Sequence, residues 1–385
     1  MIYLDNAAST QVDEKVIEEM LPYFKEQFGN PSSIHKYGRL AFMAVQNARK
    51  RIASLINAEP AEILLTSGGT ESNNTALYGI ANKKKGKHVV TSSIEHDAIL
   101  EPCKRLERDG FQVTYLPVDM YGLVNPEDVK KIISSDTCLI SIMVANNEVG
   151  TIQPIKEICK IAHEKSIPMH TDAVQAVGKI PIDVKDLDVD LLSISSHKIN
   201  GPKGIGALYI KKGTELNPMI LGGGQENGLR SGTENVPNIV GFGKACQLAK
   251  DNLKQNANHF RILSTKLRSR VLQEIPYVTV NGHLEKRIPN NSHFTFLGVN
   301  GEDLIIKLDE NDVAASTGSA CSVKTQKASH VLKAMGFSHE QIAGSLRLTI
   351  GVSNTEKEID DTVEILKKII NELRAVSPYK EKYNF

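Results

Sequence analysis

Short runs of hydrophobic and β-branched residues alternate with amphipathic stretches between about residues 60 and 210. These runs predict seven strands, with the sequences EILLTS, HVVTSS, FQVTYLPV, LISIMVA, IPMHTDA, DLLSISS and GALYI. Because strands that alternate with helices form a mainly parallel sheet, we predict an α/β fold here. Ligands of such sheets bind beyond the carboxyl ends of the strands, where this chain places the polar residues Ser67, Asn147, Asp172 and His197.

The pattern changes at about residue 255 to one that predicts a smaller α+β domain. A long helical stretch is followed by strand-like HFTFLG, helical EDLIIKL, VAAST, helical SHVLKAMG and strand-like LRLTIG. Thr355 and Glu358 fit a capping box at the start of a final helix, which has Ile359, Val363 and Leu366 on one face. We expect a large domain at residues 14–254 and a small domain at residues 1–13 and 255–385.

Composition excludes several classes of protein. The 385 residues carry 46 Lys and Arg against 45 Asp and Glu, and a formal charge of +1 argues against a nucleic-acid partner. The longest apolar runs are too short to span a bilayer, so no membrane association is expected. The amino terminus lacks a basic region followed by an apolar core, so we expect a cytoplasmic protein.

The five cysteines form no C-x-x-C pair and are odd in number, so neither a disulfide framework nor an intrinsic metal site is expected. Cys138, Cys159 and Cys246 lie in strand-like or helix-like runs and are predicted to be inert. Cys321 differs, because it stands in TGSACSVKTQ among residues with small side chains, within a loop predicted at about 316–330. A structural cysteine normally packs in an apolar run, which makes Cys321 a candidate functional thiol.

Three motifs follow predicted strands and suggest one kind of site. TSGGTESNN at 66–74 has glycines that let an anion approach a helix amino terminus, although a capped turn is the simpler interpretation of this motif alone. HTDAVQAVG at 170–178 places Asp172 where a carboxylate could hold a protonated ring nitrogen or cap a helix. SISSHKINGPKG at 193–204 offers Lys198 for a Schiff base, with Lys203 as a rival and a surface lysine as the ordinary alternative. Together they are the parts that a pyridoxal phosphate site requires.

The order of these motifs resembles a known family. TSGGTESNN, IEHDA, ANNEVGTIQP, HTDAVQ, SSHKINGPKG, GLRSGTENVP, STGSACS and LRLTIG occur as in the NifS/IscS-like cysteine desulfurases of the class V aminotransferase group. The resemblance extends from YLDNAAST near the start to the last helix. It implies a fold type I pyridoxal phosphate enzyme that forms a homodimer with its active sites at the subunit interface.

The resemblance also implies roles for individual residues around the cofactor ring. Lys198 would bind the cofactor covalently and move a proton during the reaction. Asp172 would hold the ring nitrogen, Gln175 the ring hydroxyl, and His96 would stack on the ring face. Asn147 would lie beside the ring oxygen and the substrate.

Further residues would bind the phosphate and the substrate. The Gly69 amide and the side chains of Thr70, Ser195 and His197 would bind the phosphate, and Thr233 would reach it from the neighbouring subunit. Arg347 would bind the carboxylate of the substrate, a task that suits its planar fork of donors.

The implied reaction converts L-cysteine to L-alanine and leaves a persulfide on Cys321. The sulfur would then pass to an iron–sulfur scaffold or another acceptor protein, and Cys321 could be a transient ligand of a cluster. The thiol must be activated, since a free cysteine has a pKa of about 8.5.

The loop departs from the family pattern. Val323 stands where Ser is common, and Gln326, Lys327 and Ala328 replace a Leu-x-Pro before the Ser-His. Because proline fixes φ, its loss suggests a looser loop or an altered partner surface.

Three alternatives stay open at this point. A selenocysteine lyase or related lyase could use the same scaffold. A non-enzymatic scaffold could hold a metal or cluster through Cys321 and partner cysteines, although Cys321 has no second ligand nearby in sequence. An ordinary aminotransferase would leave Cys321 without a task.

Overall fold

The computed structural model describes residues 1–318 and 328–383. Its strands are β1 Ile2–Tyr3, β2 Ile63–Thr66, β3 His88–Ser92, β4 Gln112–Leu116, β5 Thr137–Ser141, β6 Met169–Asp172, β7 Leu191–Ser195, β8 Gly206–Ile210, β9 Val278–Val280, β10 Asn291–Phe296, β11 Val313–Ala314 and β12 Ser345–Thr349. Its helices are α1 Glu14–Met20, α2 Pro22–Lys25, α3 Lys36–Leu55, α4 Gly69–Ala81, α5 Asp97–Arg108, α6 Pro126–Ile132, α7 Ile155–His163, α8 Val184–Leu187, α9 Val236–Asp251, α10 Leu253–Glu274, α11 Gly301–Glu310, α12 His330–Ala334, α13 His339–Ala343, α14 Glu356–Ala375 and α15 Lys380–Tyr383.

The seven predicted strands form one mixed sheet in the order β2-β8-β7-β6-β5-β3-β4. The pairs β3/β4, β3/β5, β5/β6 and β6/β7 are parallel, whereas β8 is antiparallel to both β2 and β7. Six strands therefore run in one direction, and the carboxyl ends of β2, β6 and β7 lie at the same edge. This confirms the predicted α/β fold with a mainly parallel sheet, which is the fold type I architecture.

Helices cover both faces of this sheet, which explains why every strand except β4 is buried along nearly its whole length. On one face α3 and α9 pack together over residues such as Leu65, Leu192 and Ile194. On the other face α4 and α5 cover Leu64 and Leu139. Cys138, Cys159 and Cys246 are buried in these layers, as predicted.

A second core contains residues from Phe260 onward together with Leu4. Its centre is the antiparallel sheet β12-β10-β9, and β1 pairs with β11 in a separate two-stranded sheet. The long helix α14 begins after Thr355, whose side chain forms the predicted capping box with Glu358. On this basis we propose the division into a large domain at 14–254 and a small domain at 1–13 and 255–385.

No helix within residues 1–318 and 328–383 is long and apolar enough to cross a membrane.

Candidate active site

A cleft of about 720 Å³ lies at the edge of the main sheet where β2, β6 and β7 end. It is lined by residues from each of the motifs that predicted a cofactor site. The predicted site residues that line it are Gly69, Thr70, His96, Asn147, Asp172, Gln175, Ser195, His197, Lys198 and Arg347. Residues separated by more than 270 positions in the chain thus meet in one cavity.

Lys198 lies in the cleft at the end of a 3₁₀ turn, Ser196–Lys198, that directly follows β7. Its Nζ donates to the carbonyl oxygens of Ala7 at 2.5 Å and Ala8 at 2.8 Å. The amino-terminal motif YLDNAAST therefore holds the amine in place. Lys203 is exposed and does not line the cleft, which removes the rival left open by the sequence.

Asp172 is the last residue of β6 and is buried. Its Oδ2 accepts from Asn73 Nδ2 at 2.7 Å, and its Oδ1 accepts from the Val174 amide at 2.9 Å. These two hydrogen bonds fix the orientation of the carboxyl group. A carboxylate fixed at the end of β6 is suited to holding a protonated ring nitrogen.

The amino terminus of α4 forms the predicted anion cradle. Gly68 has a φ of +152°, in the range that favours glycine, and precedes Gly69 and Thr70 in the first turn. A Cβ at Gly69 would lie 2.8 Å from Val174 Cγ2, so only glycine keeps this space open. The free amides of such a helix terminus bind anions.

Three histidines line the cleft, and the pKa of two of them, His96 and His197, is lowered. Burial, together with the nearby charge of Lys198, lowers the pKa of His197 to about 4. Burial also lowers the pKa of His96, although the carboxylate of Asp172 opposes this shift. His96 is the N-cap of α5, and its Nδ1 accepts from the Ala98 amide at 3.0 Å, which fixes the orientation of the ring.

The cleft contains buried acceptors that lack a partner among the described residues: Gln175 Oε1, Asn147 Oδ1 and Asn73 Oδ1. Gln175 Nε2 already donates to Ala7 O at 3.0 Å, so its oxygen is oriented and unsatisfied. A buried acceptor without a partner is costly, and a ligand hydroxyl would relieve that cost. The phosphate cradle, the carboxylate, the amine and this acceptor together fit pyridoxal phosphate.

Comparison with known proteins agrees with this geometry. Residues 2–362 match the family model described as aminotransferase class-V. The chain belongs to this family. It is 51% identical over 386 aligned residues to the cysteine desulfurase IscS of Methanosarcina thermophila, an alignment that covers 99% of this chain and 95% of the relative.

Solved structures of other proteins share the fold. A NifS-like protein superposes with a TM-score of 0.91 at 39% identity, covering 96% of this chain and 99% of its own. SspA in complex with cysteine superposes with a TM-score of 0.81 at 39% identity, covering 91% and 99% respectively.

Arg347 is buried beside the cleft, on the central part of β12. Its Nη2 pairs with Asp5 Oδ1 at 2.9 Å, and its Nη1 donates to Asn147 O at 2.9 Å and Gly318 O at 3.1 Å. Nε has no partner among the described residues. The guanidinium is therefore held rigidly, and a substrate carboxylate would have to share it with Asp5.

Among the described residues, one predicted site residue is not brought into the cleft. Thr233 is exposed and does not line it, and its role across a subunit interface stays a prediction. Cys321 lies outside the described residues, as do Val323, Gln326 and Lys327, so the looser-loop hypothesis is untested; Ala328 lines the cleft.

Sequence reasoning missed several residues that shape this class-V site. Asn73 supports Asp172, Asp5 pairs with Arg347, and Glu148 and His330 line the cleft. Asn73 could have been found, because it lies one helical turn after Gly69 and so shares its face of α4. Asp5 gave no such signal, since its partner is more than 340 residues away.

Proposed function

We propose that this chain is a pyridoxal phosphate-dependent cysteine desulfurase that converts L-cysteine to L-alanine and transfers the sulfur to Cys321. The observation that carries the proposal is the convergence of Asp172, Gln175, His96 and Lys198 on one cleft with an anion cradle. Its support is the similarity to named cysteine desulfurases over 99% of the chain and to a solved structure in complex with cysteine.

Different residues of the cleft would bind different parts of the cofactor. Lys198 would hold it covalently, Asp172 would bind the ring nitrogen and Gln175 the ring hydroxyl. Gly69, Thr70, Ser195 and His197 would bind the phosphate, with His96 against the ring face. When bound, pyridoxal phosphate supplies an electron sink that makes bonds at the α-carbon of an amino acid easier to break.

The residues of the chain perform the remaining tasks. Arg347 and Asn147 orient L-cysteine through its carboxylate and amino-acid backbone. Lys198, once its amine is released, moves the proton of the substrate α-carbon. Asp172 keeps its orientation, because Asn73 Nδ2 and the Val174 amide each donate a hydrogen bond to one of its carboxylate oxygens.

Sulfur transfer balances without another reactant. The Cys321 thiolate attacks the substrate sulfur, a sulfur–sulfur bond forms and the carbon–sulfur bond breaks. The electron pair of that bond stays on carbon, which takes up a proton and leaves as alanine. The four described cysteines are poor nucleophiles at pH 7 because they are buried. Burial raises the pKa of Cys103 and Cys159 to about 12, that of Cys138 to about 11, and that of Cys246 well above its ordinary value.

The test is mass spectrometry of the protein after incubation with L-cysteine. We expect one additional sulfur atom on the peptide that contains Cys321, together with one alanine per sulfur. The variant Cys321→Ala should retain the visible absorption of bound cofactor and lose this product. Turnover of cysteine by Cys321→Ala at the normal rate would contradict the proposal.

We further propose that the enzyme is a homodimer. Residues 17–43 expose an unusual number of large apolar side chains, among them Phe28 at 69% and Ile34 at 91% exposed. We call this the amino-terminal apolar face: Phe24, Phe28, Ile34, Tyr37, Phe42 and Met43. Exposed apolar surface of this kind favours a protein partner, and a second copy would also bring Thr233 to the phosphate as predicted.

The sulfur acceptor would be an iron–sulfur scaffold or another protein of a sulfur-using pathway. A cytoplasmic location belongs to the same proposal. Its support is that the cysteines at 103, 138, 159 and 246 are free thiols, as is typical of a reducing compartment.

A further inference from the structure

Arg347 is the only arginine among the described residues that line the cleft, and most of its donors are already in use. A guanidinium has five N–H groups. Nη1 donates to Asn147 O at 2.9 Å and to Gly318 O at 3.1 Å, and Nη2 donates to Asp5 Oδ1 at 2.9 Å. Nε has no partner among the described residues. Which donors face a substrate therefore depends on the orientation that these three acceptors impose.

Asp5 differs from the other two acceptors, because it forms an ion pair with Arg347 whereas they are neutral carbonyl groups. Its own backbone is well fixed. The carbonyl oxygen of Asp5 accepts from the Tyr3 hydroxyl at 3.1 Å, and its backbone forms a parallel bridge with Thr349 on the strand that carries Arg347. Asp5 is not among the residues that line the cleft, so its effect on a substrate is exerted through the guanidinium.

The residues that follow Asp5 hold the amine of Lys198. Its Nζ donates to Ala7 O at 2.5 Å and to Ala8 O at 2.8 Å. The Ala8 amide in turn donates to Asp5 O at 3.0 Å, which closes this stretch as a turn and keeps its ends within about 7 Å of each other. One tight turn therefore contacts both Arg347 and Lys198, the proposed anchors for the carboxylate and the amino group of a substrate.

We propose that Asp5 is a positioning residue for substrate selection. By holding Arg347 at a fixed place relative to the turn that holds Lys198, it makes the cleft select amines that carry a carboxylate on the same carbon. This inference rests on the proposed desulfurase function and concerns how L-cysteine is chosen before sulfur transfer. Asp5 orients the guanidinium and does not itself contact the substrate.

Asp5 has two opposing effects on a carboxylate bound to Arg347. Its hydrogen bond with Nη2 orients the guanidinium, whereas its negative charge repels the incoming carboxylate. Asparagine keeps an acceptor oxygen at this position and removes the charge, and alanine removes both. The variants Asp5→Asn and Asp5→Ala therefore separate the orientation of Arg347 from the charge beside it.

The experiment measures the binding of L-alanine and of ethylamine, which lacks only the carboxylate, to the full-length enzyme loaded with cofactor. Neither compound contains sulfur, so the visible absorption of the cofactor reports their equilibrium affinities without sulfur transfer. We expect Asp5→Ala to weaken L-alanine binding on the order of 10- to 100-fold, the size of effect of hydrogen bonds to charged groups. Ethylamine binding should change by less than about threefold. Asp5→Asn should bind L-alanine at least as tightly as the unaltered enzyme, because the orientation is kept and the repulsion is removed.

Two further variants complete the test. Tyr3→Phe removes the hydroxyl that donates to Asp5 O and to Ser9 O at 2.9 Å, and it should weaken L-alanine binding alone, by about fivefold or less. Tyr3 is 39% exposed, so this variant should fold. As a matched control, Glu226→Ala removes the carboxylate of another largely buried ion pair, with Arg49, that does not line the cleft. It should leave the ratio of the two affinities unchanged.

Equal weakening of L-alanine and ethylamine in Asp5→Ala would overturn the proposal, because it would indicate general damage to the site. L-alanine binding of unaltered strength in Asp5→Ala would overturn it as well. If Asp5→Ala does not fold, Tyr3→Phe decides the question, and an unchanged preference for L-alanine would then contradict the role of Asp5. Failure of the proposed function is seen separately, as an unaltered enzyme that places no sulfur on Cys321 when it is given L-cysteine.

Discussion

Asp172 offers the most direct test of the cofactor site at the level of one residue. Asp172→Asn keeps the size of the side chain and removes the charge that would pair with the ring nitrogen. We expect activity to fall at least about 100-fold, the size of effect seen when an electrostatic partner of a reacting group is removed. Steady-state alanine release and the visible spectrum of the bound cofactor measure this.

The matched control is Asn73→Ala, which removes one hydrogen bond from Asp172 but leaves the carboxylate in place. Its loss of activity should be clearly smaller. Equal losses of activity in Asp172→Asn and Asn73→Ala would mean that the position of the Asp172 side chain matters more than its charge.

The buried carboxyl group of Glu95 should make the free energy of unfolding depend on pH. It is fully buried, burial raises its pKa to about 8, and its Oε1 accepts from Ser92 Oγ at 2.6 Å and from the Met143 amide at 3.0 Å. The folded state therefore holds the proton of the Glu95 carboxyl group more tightly than the unfolded state does. The contribution of this proton to the free energy of unfolding is complete below the unfolded pKa of 4.5 and is lost as pH rises towards 8.

Glu95→Gln removes this loss, because the amide stays neutral at every pH. We expect the free energy of unfolding of the variant, relative to the unaltered protein, to increase by about 1.4 kcal/mol per pH unit between pH 4.5 and 8 and to stay level above that. Denaturant unfolding at several pH values measures it. A difference that does not depend on pH would show that Glu95 is ionised in the folded protein.

Individual residues show what the sequence can and cannot predict about the site. Asp172 and Lys198 were predictable because each lies at or just beyond the carboxyl end of a strand, and these ends converge in a parallel sheet. The choice between Lys198 and Lys203 needed the structure, since only the 3₁₀ turn after β7 decides which amine enters the cleft. The carbonyl oxygens of Ala7 and Ala8 could not be predicted, because backbone partners have no residue type to recognise.

At the scale of elements, the amino terminus of α4 gives a separate prediction. Gly69→Ala should weaken binding of pyridoxal phosphate, because its Cβ would lie 2.8 Å from Val174 Cγ2 and narrow the cradle. Alanine is otherwise favoured over glycine in a helix by up to about 1 kcal/mol, so the helix itself should persist. Titration with the cofactor, followed by its visible absorption, measures the affinity.

The control compares the denaturant unfolding of Gly69→Ala with that of the unaltered protein, both without cofactor. If the midpoint of unfolding is unchanged while cofactor affinity falls, the effect lies in the cradle. Unchanged affinity would indicate that the phosphate does not approach Gly69.

Elements with strong sequence patterns were predicted and weak ones were missed. All seven strands of the main sheet appear, as does α14 with its capping box. The run LISIMVA was expected to be a strand throughout, but β5 ends at Ser141. Strand β9 was not predicted, because three partly exposed residues are too short for any alternation to show.

At the scale of the whole molecule, the amino-terminal apolar face and Thr233 make a joint prediction. If two copies associate, Thr233 of one subunit contributes to the site that contains Lys198 of the other. Thr233→Ala alone should then weaken cofactor binding and show reduced activity when the cofactor is limiting.

Light scattering should give twice the mass of one chain. Ile34→Asp should reduce that mass, because it places a charge on the amino-terminal apolar face.

Subunit mixing tests the geometry of this interface. Lys198→Ala has no covalent attachment point for the cofactor, and Thr233→Ala has a weakened phosphate site. A mixed dimer of the two would contain one site with both lesions and one with neither, because the intact Lys198 and the intact Thr233 come from different chains. Activity at limiting cofactor should therefore rise above that of either variant when the two are unfolded and refolded together. If Thr233 acts within its own chain, every site of the mixed dimer carries one of the two substitutions, and no activity is recovered. As a control, Ile34→Asp in both variants should abolish any recovery, because it separates the subunits.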